Sequence, residues 1–233
     1  MYRELIPVIL AKNFLDFKKK LATIRTLRPK PRWVQIDVVD GKFAPWKTWP
    51  HNPLKLPRAF WGREFHGLNI EIDLMVVDPL KHAKAWIKAG AKRILFHAEP
   101  KATKNPLPII QYAKKYGVQV GLSLNAQTPL AMLLSNGRPI AKQQIDAVLL
   151  LGVNPGKSGQ PFQKSVLKKI RALHKKYPHL PIEVDGGVKL ENAPKLLQAG
   201  ATRLAAATAI HGAKNPQLTY AKLLKVVKRF KFK

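Results

Sequence analysis

The chain contains no cysteine, which excludes a disulfide framework, a thiolate metal site and a cysteine nucleophile. Acidic residues are scarce as well: 13 Asp and Glu stand against 42 Lys and Arg, for a formal net charge of +29 over 233 residues. That balance rules out an ordinary neutral surface and directs attention to anionic ligands or partners. No stretch approaches the roughly 18 continuous apolar residues of a membrane-spanning helix. The opening MYRELIPVIL mixes charge and proline into a short apolar run without a small-residue cleavage site. A soluble, cytoplasmic protein without a membrane partner is therefore expected. At 46% hydrophobic residues the chain has the means to bury a core, unlike the basic, apolar-poor tails that stay disordered.

Short β-branched and apolar runs alternate with segments of helical periodicity, the pattern of repeated βα units over a parallel sheet. Eight strands are predicted, at Leu5–Leu10, Trp33–Val38, Ile70–Met75, Arg93–His97, Gln119–Leu124, Ala147–Leu151, Ile182–Asp185 and Arg203–Ala207. Asp78 is expected to cap a helix that starts at Pro79, with Gly90 at its left-handed end. Ala89-Gly90-Ala91 with Arg93 is echoed by Ala199-Gly200-Ala201 with Arg203, one helix-to-strand turn used twice. No G-x-G-x-x-G follows the first strand, which argues against an open doubly wound sheet. The spacing predicts a single-domain (β/α)8 TIM barrel over residues 1–233, of the α/β class, with a basic C-terminal helix or tail at about 216–233.

With so few acids, their positions carry information. Asp37, Asp73 and Asp185 fall at predicted strand ends, and the carboxyl ends of parallel barrel strands form the catalytic face. Capping of the following turns is the competing reading for Asp37 and Asp185. The neighbouring loops are rich in glycine: Asp37-Val38-Val39-Asp40-Gly41, Gly152 to Gln160 (GVNPGKSGQ) and Val184-Asp185-Gly186-Gly187-Val188. Loops after the last strands of a barrel commonly cradle phosphate, so a small phosphorylated substrate is expected.

In order and spacing, Pro7-Val8-Ile9-Leu10, Asp37 to Gly41, Leu74-Met75-Val76, Phe96-His97-Ala98-Glu99, Gly121 to Pro129, Val153 to Gly156 with Gly159-Gln160, and Glu183 to Val188 resemble the ribulose-phosphate 3-epimerase family from Ile6 to about Gly212. The resemblance implies a barrel of the ribulose-phosphate-binding type that interconverts D-ribulose 5-phosphate and D-xylulose 5-phosphate by proton transfer at C3. It implies Asp37 and Asp185 as the acid/base pair and a divalent metal beside them. The family's two metal-ligand histidines are replaced by Gln35 and Asp73, leaving an altered set of Gln35, Asp37, Asp73 and Asp185. Imidazole suits zinc, iron or cobalt, whereas an amide with three carboxylates is a harder, all-oxygen set favouring magnesium, manganese or calcium; among Mg, Mn, Fe, Co and Zn the identity stays open.

The resemblance further implies phosphate and sugar contacts from Gly156, Gly159, Gln160, Gly186, Gly187, Ala207 and Thr208, and a substrate pocket of Val8, Val39, Met75 and His97. Several of these depart from the family pattern. Val8 replaces a serine, Val39 a methionine, Lys157-Ser158 a Phe-Gly pair, and Ala207-Thr208 a Gly-Ser pair. These departures support a second reading, a catalytically impaired barrel in which Asp73 turns outward or pairs with a lysine and the basic surface binds RNA, DNA or another anion. Two regions concentrate charge. Lys42 to His66 interleaves Phe43, Trp46, Trp49, Phe60 and Trp61 with cations, read mainly as packing and secondarily as a single-strand nucleic-acid surface. The tail from Tyr220 to Lys233 carries Leu223, Leu224, Val227 and Phe230 on one helical stripe amid cations. Sequence-independent nucleic-acid binding and a basic composition with no function of its own both remain open, as does the oligomeric state.

Overall fold

Runs buried at nearly every position become eight parallel strands, as expected where one strand face lines a barrel and the other lies under helices. They are β1 Glu4–Ile9, β2 Trp33–Val39, β3 Asn69–Met75, β4 Arg93–His97, β5 Gln119–Leu124, β6 Ala147–Leu151, β7 Ile182–Asp185 and β8 Arg203–Ala206. Each pairs with the next, and β8 returns to β1 to close the barrel. Every predicted strand is present to within one residue at either end. The structure is a computed structural model and describes residues 3–99, 101–135, 138–139, 144–156 and 159–230. Lys157, Ser158 and the tail residues Lys231 and Lys233 lie outside the described residues.

The helices are α1 Phe14–Thr26, α2 Arg58–Glu64, α3 Pro79–Ala89, α4 Leu107–Lys115, α5 Val166–Lys176, α6 Ala193–Ala199, α7 Thr208–His211 and α8 Pro216–Arg229. Between β5 and β6 the described residues form a 3-10 turn, Leu130–Leu133, and a short ribbon pairing Leu134–Ser135 with Arg138–Pro139. Helix α3 starts at Pro79 as predicted, but Asp78 does not cap it. Its φ of 56° and ψ of 64° put it in the left-handed region, and its side chain makes no capping hydrogen bond. The ring of Pro79 disfavours a right-handed helical conformation at the preceding residue. Gly90 and Gly200 end α3 and α6 at φ 110° and 115°, so the repeated Ala-Gly-Ala turn has one geometry in both places.

Outward-facing Ile36, Val38, Ile72 and Leu74 pack with helix residues such as Phe17, Trp61 and Trp86 in the main core. Most aromatics of the Lys42–His66 segment belong to the packing: Phe43 and Trp61 are buried, Trp49 and Phe60 stack around Phe14, Phe17 and Trp61, and only Trp46 is exposed. In α8, Tyr220, Leu223 and Val227 are buried against the barrel. Among the described residues no helix is long and apolar enough to cross a membrane.

Inside the barrel, alternate residues point to the axis. Register sets Glu71 beside Arg93 and places Arg203 between Glu183 and Glu4 at the amino-terminal ends of the strands. Arg93 pairs with Glu71, donates from Nε to Gln119 Oε1 at 2.8 Å and lies over the Trp33 ring, while Arg203 Nε reaches Glu4 Oε2 at 3.1 Å. Glu183 has no N–H donor. Burial, then the charge of Glu71, pushes its carboxyl well above the usual range, against the opposing pull of Arg93 and Arg203. Three carboxyl groups and two guanidinium groups close the barrel floor, where the raised Glu183 favours its uncharged form.

Candidate active site and its carboxylates

The same alternation carries a second set of polar groups upward. Two residues above Glu71 and Glu183 stand Asp73 and Asp185, and two above Gln35 stands Asp37. Asp37 and Asp73 are register partners across β2 and β3, and Asp185 closes the group from β7. One oxygen from each of the three carboxylates lies within 4.8 Å of the others. Gln35 Nε2 donates to Asp37 Oδ1 at 2.7 Å and to Asp185 Oδ2 at 2.8 Å. Ser123 Oγ donates to Asp73 Oδ1 at 2.8 Å, and Gly186 N donates to Asp185 Oδ1 at 2.6 Å. Neither aspartate expected as a possible turn cap is merely that. Asp73 is fully buried and turned inward with no lysine partner, contrary to the arrangement expected of an impaired barrel.

The electrostatics follow from burial without a neutralising side chain. Burial, then the charges of Asp185 and Asp73, raises Asp37 well above the usual carboxylate range. Burial raises Asp73 to about 6, opposed by nearby His97 and the Ser123 hydrogen bond. Burial and then Asp73 raise Asp185 to about 7. Like charges this close cannot all ionise in a low-dielectric site unless something positive joins them. Two buried oxygens, Asp73 Oδ2 and Gln35 Oε1, have no hydrogen-bond donor. Three carboxylates and an amide whose oxygen turns inward on rotation about its last side-chain bond are a donor set that fits a hard divalent cation.

Above the carboxylates opens a cleft with room for about 90 Å³. Asp37, Met75 and Asp185 form its base, and Gly156, Gly159 and Gln160 come from the loop after β6. Gly186 and Gly187 follow β7; Ala207 and Thr208 follow β8. Every residue expected at the phosphate end is therefore brought together. A Cβ on Gly186 would meet Val153 Cγ2 at 2.5 Å, and both Gly186 and Gly187 have positive φ, so this turn requires glycine for space as well as conformation. The Gly186 N–H is already taken by Asp185. Ala207 has φ −96°, a conformation open to any residue, so its methyl alters the space of the cleft without straining the chain.

Three residues expected in the substrate pocket lie beside the main cleft rather than among the residues lining it. Val8 lines a smaller adjoining pocket with Lys20, Ala207, Thr208 and His211. Val39 is fully buried and packs with Phe43, Met75 and Ala102, and His97 is fully buried near Asp73 under the Phe43 ring. His97 Nδ1 pairs with Glu99 Oε2 at 2.9 Å under the Phe43 ring. Burial alone would raise Glu99, but His97, Thr128 and the Asn125 N–H hold it at about 2. Several residues not singled out from the sequence also contribute. Ser123 orients Asp73, Thr48 links the Asp37 carbonyl to the Val39 N–H, and Lys189 and Asn154 line the cleft. Ser123 had a usable signal, lying two residues below Asn125 on an inward-facing strand position.

Comparisons with known proteins converge on this geometry. The sequence profile described as the ribulose-phosphate 3 epimerase family matches residues 4–211. The ribulose-phosphate 3-epimerase of Schizosaccharomyces pombe is 34% identical over 214 residues, covering 92% of this chain and 89% of the relative. That of Bacillus subtilis is 38% identical over 214 residues, covering 90% and 92%. Among solved structures, 3-hexulose-6-phosphate synthase from Salmonella typhimurium superposes with a TM-score of 0.71 at 15% identity, over 97% of this chain and 99% of that one, a likeness of fold alone. With the profile spanning nearly the whole barrel and full-length relatives above 30% identity, the chain belongs to the ribulose-phosphate 3-epimerase family.

Proposed function

We propose that this chain interconverts D-ribulose 5-phosphate and D-xylulose 5-phosphate, with Asp37 and Asp185 exchanging a proton at C3 of the sugar. The observation that supports it most directly is a pair of buried carboxyl groups, both raised well above the usual carboxylate range, at the base of a cleft whose far wall is glycine-rich. A pair of this kind holds a proton on one member while the other stays ionised. The ionised carboxylate takes the C3 proton, and the protonated one delivers its own to the opposite face. C3 is thereby inverted and the two protonation states are exchanged; the reverse reaction restores them.

Asp37, Asp73, Asp185 and the Gln35 oxygen would hold a divalent cation, with magnesium or manganese best suited to the oxygens, and it would supply positive charge beside the enediolate. Gln35 and Ser123 keep the carboxylates aimed, and the apolar base formed by Met75 and Leu151 limits water at the reacting carbon. The turn at Gly186 and Gly187 gives a phosphate room, and Thr208 offers it a hydroxyl. The purified protein, stripped of metal and resupplied with each of magnesium, manganese, iron, cobalt and zinc, is expected to interconvert the two pentulose phosphates with at least one. Asp185→Asn should remove the activity. Absence of turnover with every metal would overturn the proposal.

A further inference from the structure

The mouth of the barrel accounts for the buried acids but not for the surface charge. Six of the 13 acids are buried and five are half-buried; Asp78 and Glu191 alone are exposed. The surface is therefore nearly free of negative charge, and one run of adjacent helices presents its cations on a single continuous face. From Lys164 to Phe230 the sequence holds 14 Lys and Arg against three acids, of which Glu183 and Asp185 are buried in the barrel. Helix α6 lies between α5 and α8 and packs against both, forming one continuous outer face. On it Lys168, Arg171 and Lys175 run along α5 at helical spacing, Lys195 stands on α6, and Lys222 and Lys225 continue on α8, all exposed. On α5 the first and last of these are about 10 Å apart at 1.5 Å per residue.

The chemistry of this face also says what it does not bind. The exposed large apolar residues between Lys164 and Phe230 reduce to Leu218, in the first turn of α8, and no aromatic is among them. A membrane-surface helix needs apolar residues to insert, and a single-strand platform needs rings on which bases stack. Neither is present. What remains is an array of cations on a convex, rigid helical surface, complementary to a regular line of phosphates.

We propose that the α5–α6–α8 face binds the phosphate backbone of double-helical RNA without reading its sequence. The wide, shallow minor groove of an A-form duplex leaves both flanking phosphate rows within reach of a convex face, whereas the wide groove of B-DNA is about 8.5 Å deep and calls for a protruding element. The face lies on the side of the barrel, away from the cleft, so duplex and sugar phosphate bind independently and catalysis is not required. With about five phosphates neutralised, affinity falls roughly 10²–10³-fold between 50 and 200 mM salt.

The test measures binding of the full-length protein to a 20-base-pair RNA duplex by fluorescence anisotropy. The triple variant Lys168→Glu, Arg171→Glu, Lys225→Glu is expected to lose at least 30-fold in affinity. The variant Lys81→Glu, Lys88→Glu, Lys114→Glu, with the same change in net charge on exposed positions of α3 and α4, should lose less than threefold. Circular dichroism confirms that each variant folds. Equal losses in the two variants, or no RNA binding by the parent at 50 mM salt, would overturn the proposal. So would equal or tighter binding to a DNA duplex of the same length or to vesicles containing one-third phosphatidylserine. Saturating ribulose 5-phosphate should leave the RNA affinity unchanged; competition would place the RNA at the cleft instead and also overturn it.

Discussion

The floor and the mouth of the barrel each gather three carboxyl groups, two of them two residues apart along the same strands, β3 and β7, and they solve the problem of burying them in opposite ways. At the floor, Glu4, Glu71 and Glu183 are met by Arg93 and Arg203, and burial with the charge of Glu71 pushes Glu183 well above the usual carboxylate range, toward its uncharged form. At the mouth, Asp37, Asp73 and Asp185 receive an amide, a hydroxyl and a backbone N–H, none of which carries charge. The floor is closed electrostatically by the chain itself. The mouth stays open to a cation and to a proton that can move. Buried charge balanced internally is structural; buried charge left unbalanced beside a cleft is where chemistry can be placed.

Substitutions at the two ends should therefore fail differently. Asp185→Asn or Asp37→Asn is expected to cut kcat by about 10²–10⁴-fold, measured by coupled assay of xylulose 5-phosphate, with little loss of stability. Arg93→Met should do the reverse in kind. Removing the guanidinium leaves Glu71 and Glu183 without their main partner, an expected cost of about 3–5 kcal/mol in urea denaturation. If Arg93→Met were as stable as the parent, the floor would not be the closed ionic unit described.

A smaller effect distinguishes the ends by pH. Asp73 at about 6 and Asp185 at about 7 are raised from 3.8, so the folded protein holds protons that the unfolded chain has released. Stability of the metal-free protein must then be highest below about pH 4 with respect to these groups and fall as pH rises through 6 and 7. The expected fall is a few kcal/mol, seen as a drop on the order of 5–10 °C in Tm. Excess magnesium or manganese should reverse it, because the mouth alone accepts the ion. Smallest is Ser123→Ala. It strips Asp73 of its one side-chain donor and should weaken cation binding about tenfold by titration calorimetry while leaving the fold intact.

The barrel was legible in the sequence because its strands are buried on both faces, so hydrophobic runs located all eight strands, and Gly90 and Gly200 marked two helix ends. The mouth was legible because three of the few acids sit at strand ends. The floor was not singled out, although Glu71-Ile-Asp73 and Glu183-Val-Asp185 state the period-2 alternation that puts one acid below the other. Arg93 and Arg203 were noticed only as strand starts. Their partnership depends on register between strands far apart in sequence. Where Val39 and His97 sit relative to the cleft was not legible for a related reason. A motif fixes which residues travel together, but whether a side chain reaches the cleft or stays behind its wall depends on packing by residues such as Phe43.

The most direct measurement is isotope exchange at C3. Incubated in D2O with D-ribulose 5-phosphate and the preferred divalent metal, the protein is predicted to place deuterium at C3 of both pentulose phosphates, and Asp185→Asn to yield no C3-deuterated xylulose 5-phosphate. Absence of C3 deuterium with every metal tried, from protein shown to be folded, would contradict the assignment of the mouth carboxylates to proton transfer.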